Sequence, residues 1–183
     1  KEMKDAVATV EVYRDGEVLM FSNDECQFGY RDSTFKHNSD IILRVMLDLA
    51  FADKNATGQG MKSALEHLSY RNKTQPKGSA SIGCIFKNPD FETHKDKLSD
   101  YSVSEEPMAS FSKVGKISAG WLVQESGMKG RTVGNATVSQ DHGNFIVNTG
   151  GATSSDVLSL IEATKEEVYN RFGINLEEEI YIM

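Results

Sequence analysis

The stretch AVATVEVYRDGEVLMF, residues 6–21, decides the fold class. Val10 and Val12 alternate with polar neighbours before Asp15-Gly16, and Val18 and Met20 resume the alternation after it. An Asp-Gly pair suits the two-residue turn whose backbone twist matches that of paired strands, so the stretch predicts an antiparallel β-hairpin. A doubly wound parallel sheet would alternate strand and helix instead, and later elements of this chain alternate irregularly. No glycine-rich phosphate loop of the dinucleotide or P-loop type is present. Gly127, Gly130 and Gly134 are too widely spaced, and Gly143, Gly150 and Gly151 flank a strand. The expectation is an α+β fold with an antiparallel hairpin at its front.

Outward from the hairpin, Ser22 and Glu25 have capping-box spacing, which predicts a short helical turn over Asp24, Glu25 and Cys26 ending near Gly29. The β-branched, apolar run 41–47 predicts a strand. Residues 53–60 read as a polar connector before a helix that carries Met61, Leu65 and Leu68 and ends before Pro76. A short loop over 77–80 leads to a strand at 82–86, and the polar stretch 90–113 reads as mostly loop or short helix. Residues 118–125 predict a helix stopped near Gly127, with Trp121, Leu122 and Met128 as core contacts. Short strands fit 136–138 and 145–147. From Ser155 to Phe172, Val157, Leu160, Ile161, Thr164, Val168 and Phe172 fall on one helical face, with Thr153 or Ser154 as cap and Gly173 as stop. Residues 174–183 predict a final strand, with Ile180 and Ile182 on one face and Glu179 and Tyr181 on the other.

With 183 residues, 39% hydrophobic and 26% charged, the chain has the composition of a soluble globular protein long enough to bury a real core. A formal charge of -7 argues against nucleic acid as a partner, and no apolar run approaches a membrane span. An acidic average does not exclude a small anionic ligand, because a few local donors outweigh screened charges farther away. Arg31 and Lys87 are candidates for that role. Cys26 and Cys84 match no zinc spacing and predict reduced thiols in a cytoplasmic protein. The chain begins with Lys1 and no secretory pattern follows, so the expectation is that an upstream portion has been removed.

Gly83 to Pro89 concentrates chemistry: a thiol at Cys84, an ammonium at Lys87 and the turn-forming pair Asn88-Pro89. Glycine before the cysteine permits close approach of backbone or ligand, and Lys87 and Asn88 should stand at a strand end. Taken alone, the segment reads more simply as a buried small residue before an ordinary turn.

Several segments together resemble the UDP-N-acetylenolpyruvoylglucosamine reductase (MurB) family of flavoenzymes. Residues 28–36 resemble its FGYRDSxFK segment, residues 83–89 its GSxFKNP segment with Cys84 in place of serine, and residues 117–122 its AAGWL signature. Residues 145–148, the helix start at 152–156 and the ending 172–180 complete the series in the family's order. The resemblance covers nearly the whole chain and corresponds to the later part of the family's sequence. The short connector between Ala52 and Met61 resembles the second subtype, which lacks a tyrosine-bearing loop over the substrate. Two departures are Cys84 for serine and Tyr181 where arginine is common.

The resemblance implies reduction of UDP-N-acetylglucosamine enolpyruvate, with hydride passing from NADPH to FAD and then to the substrate. Negative charge then forms at C2 and must be stabilised there. By resemblance, Arg31 is the catalytic arginine, a permanently charged fork suited to a carboxylate, and Glu179 the catalytic glutamate that helps hold the enol. Without the motif, Arg31 would read as a surface partner of Asp32 or Asp24. Cys84 occupies the position of the C2 proton donor. A free thiol has a pKa of about 8.5, so at neutral pH it carries the proton it must give. Tyr30, Lys87 and Asn88 match substrate-binding positions, the last two near the diphosphate. His142 and Asn144 lie in a loop that could reach the substrate, Glu177 shares a face with Glu179 without a motif match, and Cys26 reads as packing.

The implied organisation is the end of an FAD-binding domain over 1–52, a connector with a helix over 53–79 and a smaller α+β substrate-binding domain over 80–183. Most flavin contacts would lie upstream, leaving the chain alone inactive. A cofactor-free module that binds a UDP-sugar or a protein is the alternative from another class. A stable domain released by truncation is a third.

Overall fold

Strands β1 (Val7–Arg14) and β2 (Glu17–Ser22) form the expected hairpin, in register from Thr9 opposite Ser22 to Arg14 opposite Glu17. Asp15 and Gly16 both have positive φ, 49° and 93°, as a two-residue turn of this hand requires. Strand β3 (Ile41–Leu47) pairs antiparallel with the other side of β1, giving the sheet order β2-β1-β3. This computed structural model describes residues 2–51, 54–99, 101 and 103–182. The chain divides into two units, Lys1–Ser63 and Ala64–Met183.

In the first unit, Val7, Val10, Val12 and Cys26 are buried, and Leu19, Phe21, Phe28 and Phe35 pack against them. Cys26 ends a 3-10 turn (Asp24–Cys26) built on the predicted capping box: Ser22 N donates to Glu25 Oε2 at 2.8 Å, and Glu25 N donates to Ser22 Oγ at 3.4 Å. The turn stops at Cys26 rather than near Gly29, because Gln27 takes a left-handed conformation with φ 48°. Arg14 Nε and a second guanidinium nitrogen donate to the two oxygens of Asp40 at 2.5 and 2.6 Å. Strand β3 is exposed along its whole length, including Ile41, Leu43 and Met46 at 59%, 51% and 58%.

Helix α1 (Lys54–Thr74) ends before Pro76 as predicted but begins inside the expected polar connector 53–60, of which Asp53 lies outside the described residues. Gly58 and Gly60 each disfavour helix by about 1 kcal/mol. Extending an existing helix adds a hydrogen bond per residue, and here that gain prevails.

The second unit is built on strands β4 (Ala80–Cys84), β5 (Thr132–Val133), β6 (Ala136–Val138) and β7 (Phe145–Asn148), antiparallel in the order β4-β7-β6-β5. The stretch 90–113, read as loop or short helix, holds two short helices, α2 (Phe91–Ser99) and α3 (Glu105–Val114), which bury Phe91, Leu98 and Phe111. Helix α4 (Ala119–Glu125) follows, capped by Ser118, whose side chain accepts from Trp121 N. Helix α5 (Ser154–Phe172) has the predicted Thr153 cap, reciprocated by Asp156, and Gly173 closes it at φ 63°. Leu160, Ile161, Thr164, Val168 and Phe172 on α5 are buried with Leu122, Val123 and Met128 in one core, against which Trp121 packs.

Two strand expectations need correction. The strand expected at 82–86 lies two residues earlier, at Ala80–Cys84, because Gly83 has φ 89° and the β4–β7 register shifts between Ser81 and Cys84. A Cβ on Gly83 would meet nothing within 4 Å, so among protein atoms the glycine serves backbone conformation rather than close approach. The expected final strand does not form over the described residues 174–182. Only a bridge between Phe86 and Glu178 pairs this ending, while Ile174 and Leu176 insert into the core. Burial of those two side chains sets the path that regular alternation would have set in a strand. Met183, the last residue of that expectation, lies outside the described residues.

Candidate active site

Each unit carries part of the predicted residue set. In the first unit, Gly29 and Asp32 exchange backbone hydrogen bonds of 2.9 and 3.3 Å, which closes a tight turn with Tyr30 and Arg31 at its tip. Arg31 has φ 55°. A left-handed conformation costs a residue with a Cβ about 1 kcal/mol, so the turn holds this arginine against its backbone preference. The guanidinium lies 5.5 Å from the Tyr30 ring centroid, in cation-π range. Lys36 Nζ donates to the Arg31 carbonyl at 2.9 Å, and His37 Nε2 stands 2.9 Å from both Asp32 carboxylate oxygens. Arg31, Lys4 and Lys36, with Glu2 and Asp32, line a cavity of about 320 Å3.

In the second unit, the Cys84 segment and the Glu179 segment are tied by a short backbone ladder. Glu179 N donates to the Ile85 carbonyl at 2.7 Å, and Lys87 N donates to the Glu177 carbonyl at 2.8 Å, on either side of the Phe86–Glu178 bridge. The ladder brings together two motifs about ninety positions apart in sequence. Cys84 ends β4 opposite Phe145 and is partly exposed, as are Lys87, Asn88 and Glu179.

Asn144 holds this ladder from below. It is buried, its Oδ1 accepts from Phe86 N at 2.9 Å and its Nδ2 donates to the Phe86 carbonyl at 2.8 Å. An amide side chain thus replaces the strand partner that residue 86 lacks there. Asn144 is therefore a structural clamp and not a substrate-facing loop residue. His142 is half-buried beside it and accepts from Asn144 N at Nδ1, 3.2 Å. Burial first, then the charge of Lys129, pushes its pKa below the usual histidine value. Its ring lies over α4, where a Cβ on Gly120 would come within 2.8 Å of Cε1. Glycine in the Ala-Gly-Trp-Leu segment gives that ring its space. The spacing of these residues in sequence gives no signal of the clamp.

Asn88 also has a structural task. Its Oδ1 accepts from Ala119 N at 2.9 Å at the start of α4, so Nδ2 is the part of its amide that can donate to a ligand. Lys87 Nζ lies 3.2 Å from Glu177 Oε2. Glu178 turns to Lys165 on α5, Oε1 to Nζ 2.9 Å. Burial pushes the Glu178 carboxyl up, but the Lys165 contact and a backbone hydrogen bond together outweigh it and leave the pKa below the ordinary glutamate value. Glu177 and Glu178 therefore turn to different lysines, Lys87 and Lys165. Among the described residues, no cluster of histidine, cysteine and carboxylate side chains is arranged to hold a metal ion.

A family model described as "UDP-N-acetylenolpyruvoylglucosamine reductase, C-terminal domain" matches residues 75–183. The UDP-N-acetylenolpyruvoylglucosamine reductase of Heliobacterium modesticaldum is 35% identical over 182 residues, which cover 99% of this chain and 49% of that protein. That of Thermotoga petrophila is 34% identical over 181 residues, covering 99% and 54%. The crystal structure of the Thermus caldophilus reductase (MurB) superposes with a TM-score of 0.70 at 35% identity, over 98% of this chain and 54% of that one. The chain thus spans about half the length of the curated relatives it matches. With its C-terminal match, its identities and a shared mixed α+β fold, the chain belongs to the UDP-N-acetylenolpyruvoylglucosamine reductase family.

Proposed function

We propose that this chain is the later part of a UDP-N-acetylmuramate dehydrogenase, an oxidoreductase of peptidoglycan synthesis, and carries its substrate-binding and proton-donating residues. In this reading residues 1–52 finish an FAD-binding domain, 53–79 connect, and 80–183 bind UDP-N-acetylglucosamine enolpyruvate in the cytoplasm. The observation that carries it is the backbone ladder between 85–87 and 177–179, which ties the Cys84 motif to the Glu179 motif within one unit. Pure nucleotide-sugar binding would need no proton donor, which disfavours the cofactor-free alternative.

In this reading most of the flavin site lies outside this chain. The cavity beside Arg31, about 320 Å3, is at the small end of ligand pockets and carries mixed charge from Glu2 and Asp32 beside three cations. Hydride would come from NADPH through FAD held mainly by the part of a family-length protein that lies outside this chain. The remaining chemistry falls to named side chains. Arg31 grips the substrate carboxylate and stabilises charge that develops next to it, which a guanidinium does at any working pH. Glu179 holds the enol oxygen by a hydrogen bond. The Cys84 thiol gives its proton to C2, the C–H bond forms as the S–H bond breaks, and the thiolate is reprotonated from solvent. Lys87 and the Asn88 Nδ2 donors, with Tyr30, bind the nucleotide end and the sugar.

Mixing the chain with the upstream half of a relative, FAD, NADPH and substrate should produce flavin absorbance and substrate-dependent NADPH oxidation. Two folded pieces that give neither would sink the reading. Within such an active assembly, Cys84→Ser should retain much of the turnover, whereas Cys84→Ala should slow it by about 100-fold or more, the usual worth of a positioned proton donor. Turnover of Cys84→Ala equal to the parent would remove the thiol from the reaction.

A further inference from the structure

Resting on the reading of Lys87 as a diphosphate contact, we propose that Glu177 is a built-in counter-ion that competes with the diphosphate for Lys87 and limits how tightly the nucleotide end is held. The pair is fixed twice. Lys87 N donates to the Glu177 carbonyl at 2.8 Å, and the two side chains meet at 3.2 Å, so the carboxylate stays beside the ammonium by backbone register. The Glu177 side chain is 75% exposed and the Lys87 side chain 30%. The carboxylate therefore serves no packing purpose, whereas the lysine stem is largely covered. Glu178 in the same run is engaged by Lys165, so Glu177 is the glutamate whose charge acts on Lys87.

An incoming diphosphate meets an ammonium whose charge is already offset and a carboxylate of its own sign. Exposed ion pairs are worth at most about 1 kcal/mol, so the competition weakens the ligand by about fivefold at most and does not block it. The effect also has a use. The diphosphate is remote from C2 and C3 and is carried by substrate and product alike, so binding energy there is uniform. It lowers KM without speeding the chemical step, and in excess it slows product release. Glu177 holds that uniform term down while leaving Lys87 in place.

The test is titration of the 183-residue chain with UDP and, separately, uridine, followed by backbone amide shifts at low and high salt. Glu177→Gln should bind UDP about two- to fivefold more tightly at low salt, with the gain shrinking as salt screens the charges. Its affinity for uridine, which lacks the phosphates, should be unchanged, a distinction that a merely structural role would not produce. Lys87→Gln should weaken UDP alone. UDP binding by Glu177→Gln that is equal to or weaker than the parent's would overturn the proposal. Normal UDP affinity in Lys87→Gln would also overturn it, together with the diphosphate role of Lys87, while leaving the proposed roles of Arg31, Cys84 and Glu179 standing. Absence of UDP binding by the parent chain would remove the substrate reading together with it.

Discussion

The two units differ in how much of their apolar surface they bury within themselves. The second closes a single core around α5, with Leu122, Ile161, Val168 and Ile174 fully buried and Phe172 between Trp121 and Tyr101 at 5.6 and 5.3 Å. Among its described residues the first buries only the apolar side chains of Val7, Val10, Val12 and Cys26, and leaves Ile41, Ile42, Leu43, Val45, Met46 and Leu47 on an exposed edge strand. An antiparallel sheet can turn one face to water, but an edge strand apolar on both faces is a site for pairing or aggregation unless something covers it. Pattern alone makes both β3 and the α5 stripe look like core, and the structure shows that only α5 is buried within this chain. A chain of about half the family length is consistent with that difference.

If the second unit is the self-sufficient one, truncating its centre should be the most damaging change. Phe172→Ala should cost about 3–5 kcal/mol in urea unfolding of the transition assigned to residues 64–183, with little effect on the other. A cost spread evenly over both transitions would break the comparison. Next comes Asn144→Ala, which strips partners from the buried Phe86 N and carbonyl and should cost about 3 kcal/mol. Faster amide exchange at 85–87 should accompany it, and an unchanged exchange pattern would contradict the clamp.

In the first unit, Val12→Ala should cost about 2 kcal/mol, whereas Leu43→Ala on β3 should stay within about 0.5 kcal/mol because its side chain is already exposed. The same Leu43→Ala change in a family-length protein sharpens the comparison. A cost above about 1 kcal/mol there would identify β3 as covered by the remainder of the chain.

The smallest effect is on pH. His142 has a folded pKa below its ordinary value near 6.5, so the folded unit takes up its proton less readily than the unfolded chain. Its contribution is complete above about pH 6.5 and is lost as pH falls below that value. Asp40, held down chiefly by its bonds to Arg14, keeps its contribution until pH drops below about 3.9, then loses it as pH falls through the lower folded pKa. Acidification to pH 5 should therefore lower the second unit's transition and leave the first unit's unchanged. Calorimetry at stepped pH checks the order, and an earlier loss in the first unit would refute it.

Local signals in the sequence were sufficient for the elements they govern. Asp15-Gly16 determined the hairpin, Ser22 with Glu25 its capping box, and Thr153, Gly173 and the apolar stripe between them determined α5. Each rests on interactions among residues close in the chain, where turn geometry and helical period constrain the choices. The ordered motifs 28–36, 83–89 and 117–122 were likewise enough to identify the family. Tertiary structure alone decided that Asn144 clamps Phe86, that Asn88 accepts from Ala119 N at the start of α4, that 177–179 pairs with 85–87 in place of a full strand, and that Glu177 faces Lys87. Those contacts join residues thirty to ninety positions apart, and they arise only after the core has closed and buried polar groups must find the partners that remain within reach.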